Sequence, residues 1–368
     1  MSQEYIPSTG MVPDPLDERD FRYRDMVAGG VPKIDWEKGY RAHEALGLPL
    51  PTADQGPALR CVGEGWAMRA RRAWKAKTGQ DVRFSAKAIY SQIYIAPSGG
   101  AYIRDGGLLL VKVGAQTEEE VPSYVNGVSP SEAFSRDLSW RTPEMIAKAK
   151  KLDDYNCRML EGDTDSMDLF AHAIQEHGGI VAGFTGTNPG WCSCPVCKIP
   201  KAGESRWSHC IDIPDFGLTD VEECGIPVGT KALFFPNSWG GRYTFTRGRW
   251  KGMQAITADY FQAGEQTAAG YARGIYVSHA WVLVANAATP VNVKLMDFIK
   301  KNEGRIVQLT ETGVPGSGSM ALILDGRFMV ISPARSGQAA LTAYGRKMQQ
   351  TIVEVDKKTW DAIPKQDF

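Results

Sequence analysis

The stretch Asp54-Gln55-Gly56-Pro57-Ala58-Leu59-Arg60-Cys61-Val62-Gly63-Glu64-Gly65-Trp66-Ala67-Met68 decides how this chain is read. Its first four residues form turns. The run that follows, residues 61–77, places Cys61, Gly65 and Met68, then Ala73, at helical spacing. Cys61 therefore falls at or near a helix N-terminus. A thiol near neutral pH is mostly protonated, so a nucleophilic cysteine needs such a helix end, a nearby imidazolium, or both. A cysteine taken alone is more often buried structure, so the decision rests on its company.

The imidazole must come from His43, His172, His177, His209 or His279. His172 and His177 lie in 166–178, a run with helical spacing, where surface or packing roles are the default. His43 and His279 have no polar constellation around them in sequence. His209 opens a strand-like segment, His209-Cys210-Ile211-Asp212-Ile213, and is followed 28 residues later by Asn237-Ser238-Trp239-Gly240 at the end of another strand. Two neighbouring strand ends can join an imidazole and an amide. The amide oxygen then holds one ring nitrogen and leaves the other facing a thiol, and Trp239 is placed to cover that hydrogen bond.

These motifs, in this order, resemble the papain-like cysteine peptidases. In that family the histidine follows the cysteine by about 130–150 residues, and here the interval is 148. Asn237 lies 176 residues beyond Cys61, which requires an insertion, read at 214–230. Further landmarks look like the bacterial and bacteriophage branch. They are an entry arm at residues 10–23, a domain start at Ile34-Asp35-Trp36 and the loop Arg104-Asp105-Gly106-Gly107.

The resemblance implies an α+β, papain-like two-lobed fold with a helical left lobe and a β-barrel-like right lobe. It also implies a peptidase with Cys61 as nucleophile, His209 as base, Asn237 as orienting residue and Gln55 as oxyanion donor. Fixed donors matter at that position, since removing one costs roughly a hundredfold or more in rate. The family commonly has Gly-Ser-Cys-Trp at the nucleophile, whereas this chain has Leu59-Arg60-Cys61-Val62. Arg60 either favours the thiolate or crowds the oxyanion pocket.

The organisation follows: residues 1–33 as an extended arm, 34–264 as the peptidase domain, and 265–368 as a small α+β appendage suited to docking. Helices are expected at 85–95, with Ser85 as cap, from the loop at 103–107 onward, at 292–303 and at 338–350. Strands are expected at 180–184, 211–213 and 232–235, with a turn at Gly316. The 368 residues, 43% hydrophobic, carry 42 basic and 42 acidic side chains. That balance gives no global field toward nucleic acid or lipid. No membrane span and no signal peptide are evident, which points to a protein that is cytoplasmic where made.

Seven cysteines, three of them in Cys192-Ser193-Cys194-Pro195-Val196-Cys197, suggest a reduced compartment. Cys192, Cys194 and Cys197, with Cys210 or Cys224 as fourth ligand, have spacing compatible with a structural zinc, a local disulfide or unpaired thiols; catalysis itself requires no cofactor. Two functions remain in view. One is hydrolysis of a protein or peptide substrate. The other is a papain-fold structural or binding component of a bacteriophage virion or tail, docked to phage structural proteins through the C-terminal region.

Overall fold

The structure, a computed structural model, describes residues 10–15, 23, 27, 31–126, 131–160, 167–267, 270–273 and 276–285, and five strands beyond them. The chain divides into two compact units, Met1–Ala285 and Asn286–Phe368.

In the first unit the order begins with β1 (Met11–Val12), β2 (Tyr40–Arg41), α1 (Ala42–Ala45), α2 (Cys61–Thr78), α3 (Ala86–Ile93), β3 (Ala101–Tyr102) and α4 (Ile103–Lys112). It continues with α5 (Glu132–Arg136), α6 (Pro143–Lys148), β4 (Tyr155–Leu160), α7 (Met167–His177), β5 (Ile180–Gly186) and α8 (Asn188–Trp191). The last part holds β6 (Trp207–Ile213), β7 (Asp215–Leu218), β8 (Lys231–Phe235), β9 (Gln254–Thr257), α9 (Asp259–Gln262), β10 (Gly264–Thr267), β11 (Gly270–Arg273) and β12 (Val277–Ala285).

Local chemistry accounts for several of these boundaries. Ser85 caps α3 by accepting from the Ala88 N–H, as its position in sequence suggests. The helix expected from the loop at 103–107 onward starts at Ile103, with the glycine pair inside its first turns. The reason is packing: a Cβ on Gly106 would lie 2.3 Å from the Trp66 indole, so glycine admits α4 against α2. Helix α2 also carries buried arginines. Arg69 donates to the carbonyls of His177, Gly179 and Leu283, and Arg72 forms a bidentate pair with Asp212 at 2.6 and 2.5 Å. These donors answer the carbonyls left unpaired where α7 ends, and so dock α2 onto the sheet.

Two four-stranded sheets form, ordered β4-β12-β5-β6 and β2-β7-β8-β9. Both are open, so the β-barrel-like lobe is a pair of open sheets and not a closed barrel among the described residues. β12 is the missing piece of the sequence reading, which closed this unit at 264. Its alternate residues serve two cores. Val277, Ala280, Val282 and Val284 join the core around Phe170 and Trp239, while Trp281 and Leu283 join the helical core around Cys61, Trp66 and Tyr90. Period-two alternation with both faces apolar is what a strand between two cores requires.

The 214–230 insertion is largely β7 and the loop to β8, and Cys224 in that loop is disulfide-bonded to Cys194. The second unit contains β13 (Ile306–Leu309), β14 (Met320–Leu324), β15 (Arg327–Val330), β16 (Val353–Val355) and β17 (Lys365–Gln366), in one sheet ordered β16-β13-β14-β15-β17. The helices expected at 292–303 and 338–350 and the turn at Gly316 lie outside the described residues.

Candidate active site

Cys61 is the first residue of α2 and is fully buried. His209 lies on β6 opposite Phe184 of β5, and Asn237 follows the end of β8; both are buried as well. The His209 Nε2 and Asn237 Oδ1 atoms are 2.9 Å apart. Trp239 stacks on the imidazole, with ring centroids 4.7 Å apart and planes 24° apart, and Trp191 and Trp207 meet it edge-on. The imidazole therefore sits in an aromatic box with its Nε2 edge committed to the amide.

Its other nitrogen, Nδ1, is buried without a hydrogen-bond partner. The adjacent residue, Cys210, directs its backbone N–H at the Cys61 thiol. Cys61 and His209 are thus on touching segments, although the thiol–imidazole hydrogen bond itself is not formed.

The amide of Asn237 is held on its far side by a residue absent from the sequence reading. Asn237 Nδ2 donates to Gln254 Oε1 at 2.5 Å, and Gln254 Nε2 donates to the Trp191 carbonyl at 3.0 Å. Gln254 has no motif around it, so only the pairing of β8 with β9, which aligns Phe235 with Gln254, brings it there. Ser238 is the second addition. Its hydroxyl donates to Gln55 Oε1 at 2.5 Å, and its carbonyl accepts from the Gln55 N–H at 2.8 Å. The Gln55 amide nitrogen, turned the opposite way, donates to Ala58 O at 3.0 Å. The turn before α2 and the asparagine segment are thereby one hydrogen-bonded assembly.

Arg60 neither crowds Cys61 nor faces it. Its guanidinium is buried on the opposite side, donating to Glu64 at 2.8 Å, the Ser123 carbonyl at 2.8 Å and the Ser135 hydroxyl at 3.2 Å, with the Tyr124 ring against it. Its charge is matched by Glu64, one helical turn away.

The site is covered. Gly10 and β1 lie across it: β1 pairs in parallel with β3, and the Gly10 carbonyl accepts from Ala101 N–H at 2.8 Å. A Cβ on Gly10 would lie 1.9 Å from the Leu59 carbonyl oxygen, so only glycine fits that approach. Burial pushes the Cys61 thiol up to about 12, opposed by the backbone N–H groups of Cys210, Gly10, Val62 and Cys61 itself. Burial also lowers His209 to about 4, opposed by its bond to Asn237. In this covered arrangement both groups are neutral at pH 7.

The four thiols expected to hold zinc do not come together as a donor set. Cys194 is bonded to Cys224 and so is no thiolate, and Cys210 packs beside Cys61 in the helical core. Cys192 and Cys197 remain as thiols, and no group of three or more His, Cys, Asp or Glu among the described residues is placed to hold a metal. The Cys194–Cys224 disulfide takes one of the alternatives the cluster left open, a disulfide in place of a zinc ligand set, with its partner in the loop before β8.

No family model matches the chain, and no curated protein does. Solved structures do. Xylellain, a cysteine protease from Xylella fastidiosa, superposes with a TM-score of 0.54 at 18% identity, over 77% of this chain and 98% of that one. The digestive procathepsin L2 proteinase of the Tenebrio molitor larval midgut gives 0.50 at 16% identity, over 76% and 78%. At such identities the likeness establishes the fold, which is α+β and papain-like. No helix among the described residues is long and apolar enough to cross a membrane.

Proposed function

We propose that the chain is a cysteine peptidase that cleaves peptide bonds through a thioester. The observation that carries this reading is the His209–Asn237 hydrogen bond beneath Trp239, with Nδ1 left unpartnered beside the segment that touches Cys61. His209 Nδ1 takes the thiol proton and Cys61 Sγ attacks the carbonyl carbon. The developing oxyanion is met by the Cys61 N–H and the Gln55 amide, and His209 then protonates the leaving amine. Water enters with His209 again as base, and the acid product leaves. Asn237 and Gln254 hold the ring in the tautomer that accepts at Nδ1.

Because Gly10 covers the thiol, reaction requires the arm to withdraw. The same cover supports a second reading, in which the cleft binds and does not cut, as in a structural component of a phage particle.

An epoxide probe directed at thiol peptidases, followed by peptide mass mapping, decides between them. Labelling of Cys61 that is absent in Cys61→Ala, with hydrolysis of a peptide panel, supports the peptidase. Absence of both would sink it. Mass spectrometry of purified particles tests incorporation, and absence from every particle removes the virion role.

A further inference from the structure

Glu132, the first residue of α5, bonds two segments on the Cys61 side of the site at once. Its Oε2 accepts the backbone N–H of Leu59, two residues before the nucleophile, at 2.6 Å. Its Oε1 accepts the Tyr90 hydroxyl at 2.6 Å, and the Tyr90 oxygen in turn accepts the N–H of Gly100 at 2.9 Å. Arg136 Nε lies 3.1 Å from Oε1 and balances the carboxylate. The chain Leu59–Glu132–Tyr90–Gly100 therefore spans from the nucleophile loop to the residue before Ala101, whose N–H holds an extended segment at β3.

The surroundings show how tightly the bracket closes. Tyr90 is fully buried, and its acidity is suppressed by burial and by Glu132, so the phenol remains a donor. Gly99 has a φ of +80°, and a Cβ there would lie 2.8 Å from Leu59 and 3.3 Å from Glu132 Oε1. The turn at 99–100 and the loop at 59 are thus in direct contact, and the carboxylate fixes their spacing. Charge-assisted bonds to a carboxylate are the strong kind. No motif near Cys61 calls for a glutamate 71 residues downstream.

We propose that Glu132 and Tyr90 are positioning residues for hydrolysis, holding the Leu59–Cys61 loop at a set distance from the edge that takes an extended peptide. This assignment rests on the peptidase reading. The pair acts through the backbone of Leu59 and Gly100, to which its hydrogen bonds run. A displacement of the nucleophile by about 1 Å relative to a bound carbonyl costs as much as a hundredfold in rate.

The test uses the full chain with Tyr90→Phe, Glu132→Gln and both together. Steady-state hydrolysis of a fluorogenic peptide is measured beside the thermal midpoint and amide exchange. Tyr90→Phe removes one oxygen and leaves the ring in place, so it keeps the experiment interpretable should Glu132→Gln fold poorly. Each single variant is expected to lower kcat about tenfold or more with KM within about threefold, and to speed exchange at Leu59 or Gly100. The double variant should lose no more than the worse single one, because both break a single chain of bonds.

Tyr90→Phe with kcat within twofold of the parent, or losses that multiply in the double variant, would overturn the proposal. A parent chain that neither hydrolyses peptides nor labels at Cys61 is a different failure: it removes the peptidase reading and this assignment with it.

Discussion

The two walls of the site are held by opposite chemistry. On the Cys61 wall the backbone and side chains are fixed by charge: Glu132 holds the Leu59 N–H, and Glu64 is clamped between Arg60 and Tyr124. On the His209 wall the fixing groups are neutral, namely three tryptophans around the imidazole and the amide relay of Asn237 and Gln254. Glu132 accepts the Leu59 N–H just ahead of α2, and Glu64 accepts from the Arg60 guanidinium and the Tyr124 hydroxyl, bonds of the strong charge-assisted kind. In the proposed mechanism the imidazole gives and takes a proton, and neutral neighbours leave its charge state unfixed. Each wall is therefore built from what its own functional atom can tolerate.

The contrast can be broken from either side. The largest effect is expected at the residue proposed as base: His209→Ala should lower kcat by at least about a thousandfold, and because its buried ring leaves a cavity among the tryptophans it should also lower the urea midpoint. Retention of more than a tenth of the parent rate would remove His209 from the mechanism.

On the opposite wall Arg60→Ala should act mainly through stability. Arg60 and Glu64 are both buried, with side chains 0% and 4% exposed, and stranding one partner of a buried pair costs about 3–5 kcal/mol. Urea denaturation that shows less than about 1 kcal/mol would mean that Glu64 finds another partner or a proton.

Acid should weaken the fold next, through His209 on the neutral wall and through His177 and His43 away from it. Burial lowers His209 and His177 to about 4 and His43 to about 2, so each is uncharged in the fold but takes up a proton in the unfolded chain below its ordinary value of 6.5. Where the unfolded chain binds more protons, stability rises with pH and is lost on acidification. Asp215, raised to about 7 by burial, works the other way across the same interval. Burial also lowers His172 and raises Asp14, Asp105 and Glu118, but the large shifts are those of three histidines against one carboxyl, which leaves a net loss as pH drops from 6.5 toward 4. Thermal midpoints that rise on acidification across that window would contradict this account.

Smaller effects sharpen the comparison. Gln254→Ala releases the far side of Asn237 and should cost about tenfold in kcat through ring orientation. An unchanged kcat would show that Ser238 and Trp239 suffice. Gly10→Ala cannot keep its contact with Leu59, so the covered state should lose population and iodoacetamide should modify Cys61 faster, on the order of tenfold. A slower or equal rate would show that Gly10 does not limit access.

The turn Asp54–Pro57, helix α2, the Ser85 cap and the strands at 180–184, 211–213 and 232–235 were legible because each depends on neighbours within about a dozen residues: spacing, caps and β-branched runs. Cys61, His209 and Asn237 were legible as an ordered set, by resemblance to a family whose fold the solved structures share. What escaped were roles created between distant segments. Gly106 reads as part of a helix-entry loop until Trp66 is laid over it, and β12 reads as part of the C-terminal appendage until its two faces meet two cores.

The local sequence determined where a thiol meets a helix start and that His209 lies on a strand and Asn237 just past one, since helix caps and strand periods are short-range properties of the backbone. Tertiary structure alone decided that Arg60 turns away from Cys61, that Cys194 pairs with Cys224, that Gln254 backs Asn237 and that Gly10 covers the thiol. Each of those outcomes depends on which buried donor finds which acceptor, and on the absence of a Cβ at a close approach. Segments far apart in sequence settle such matters only when they pack against one another.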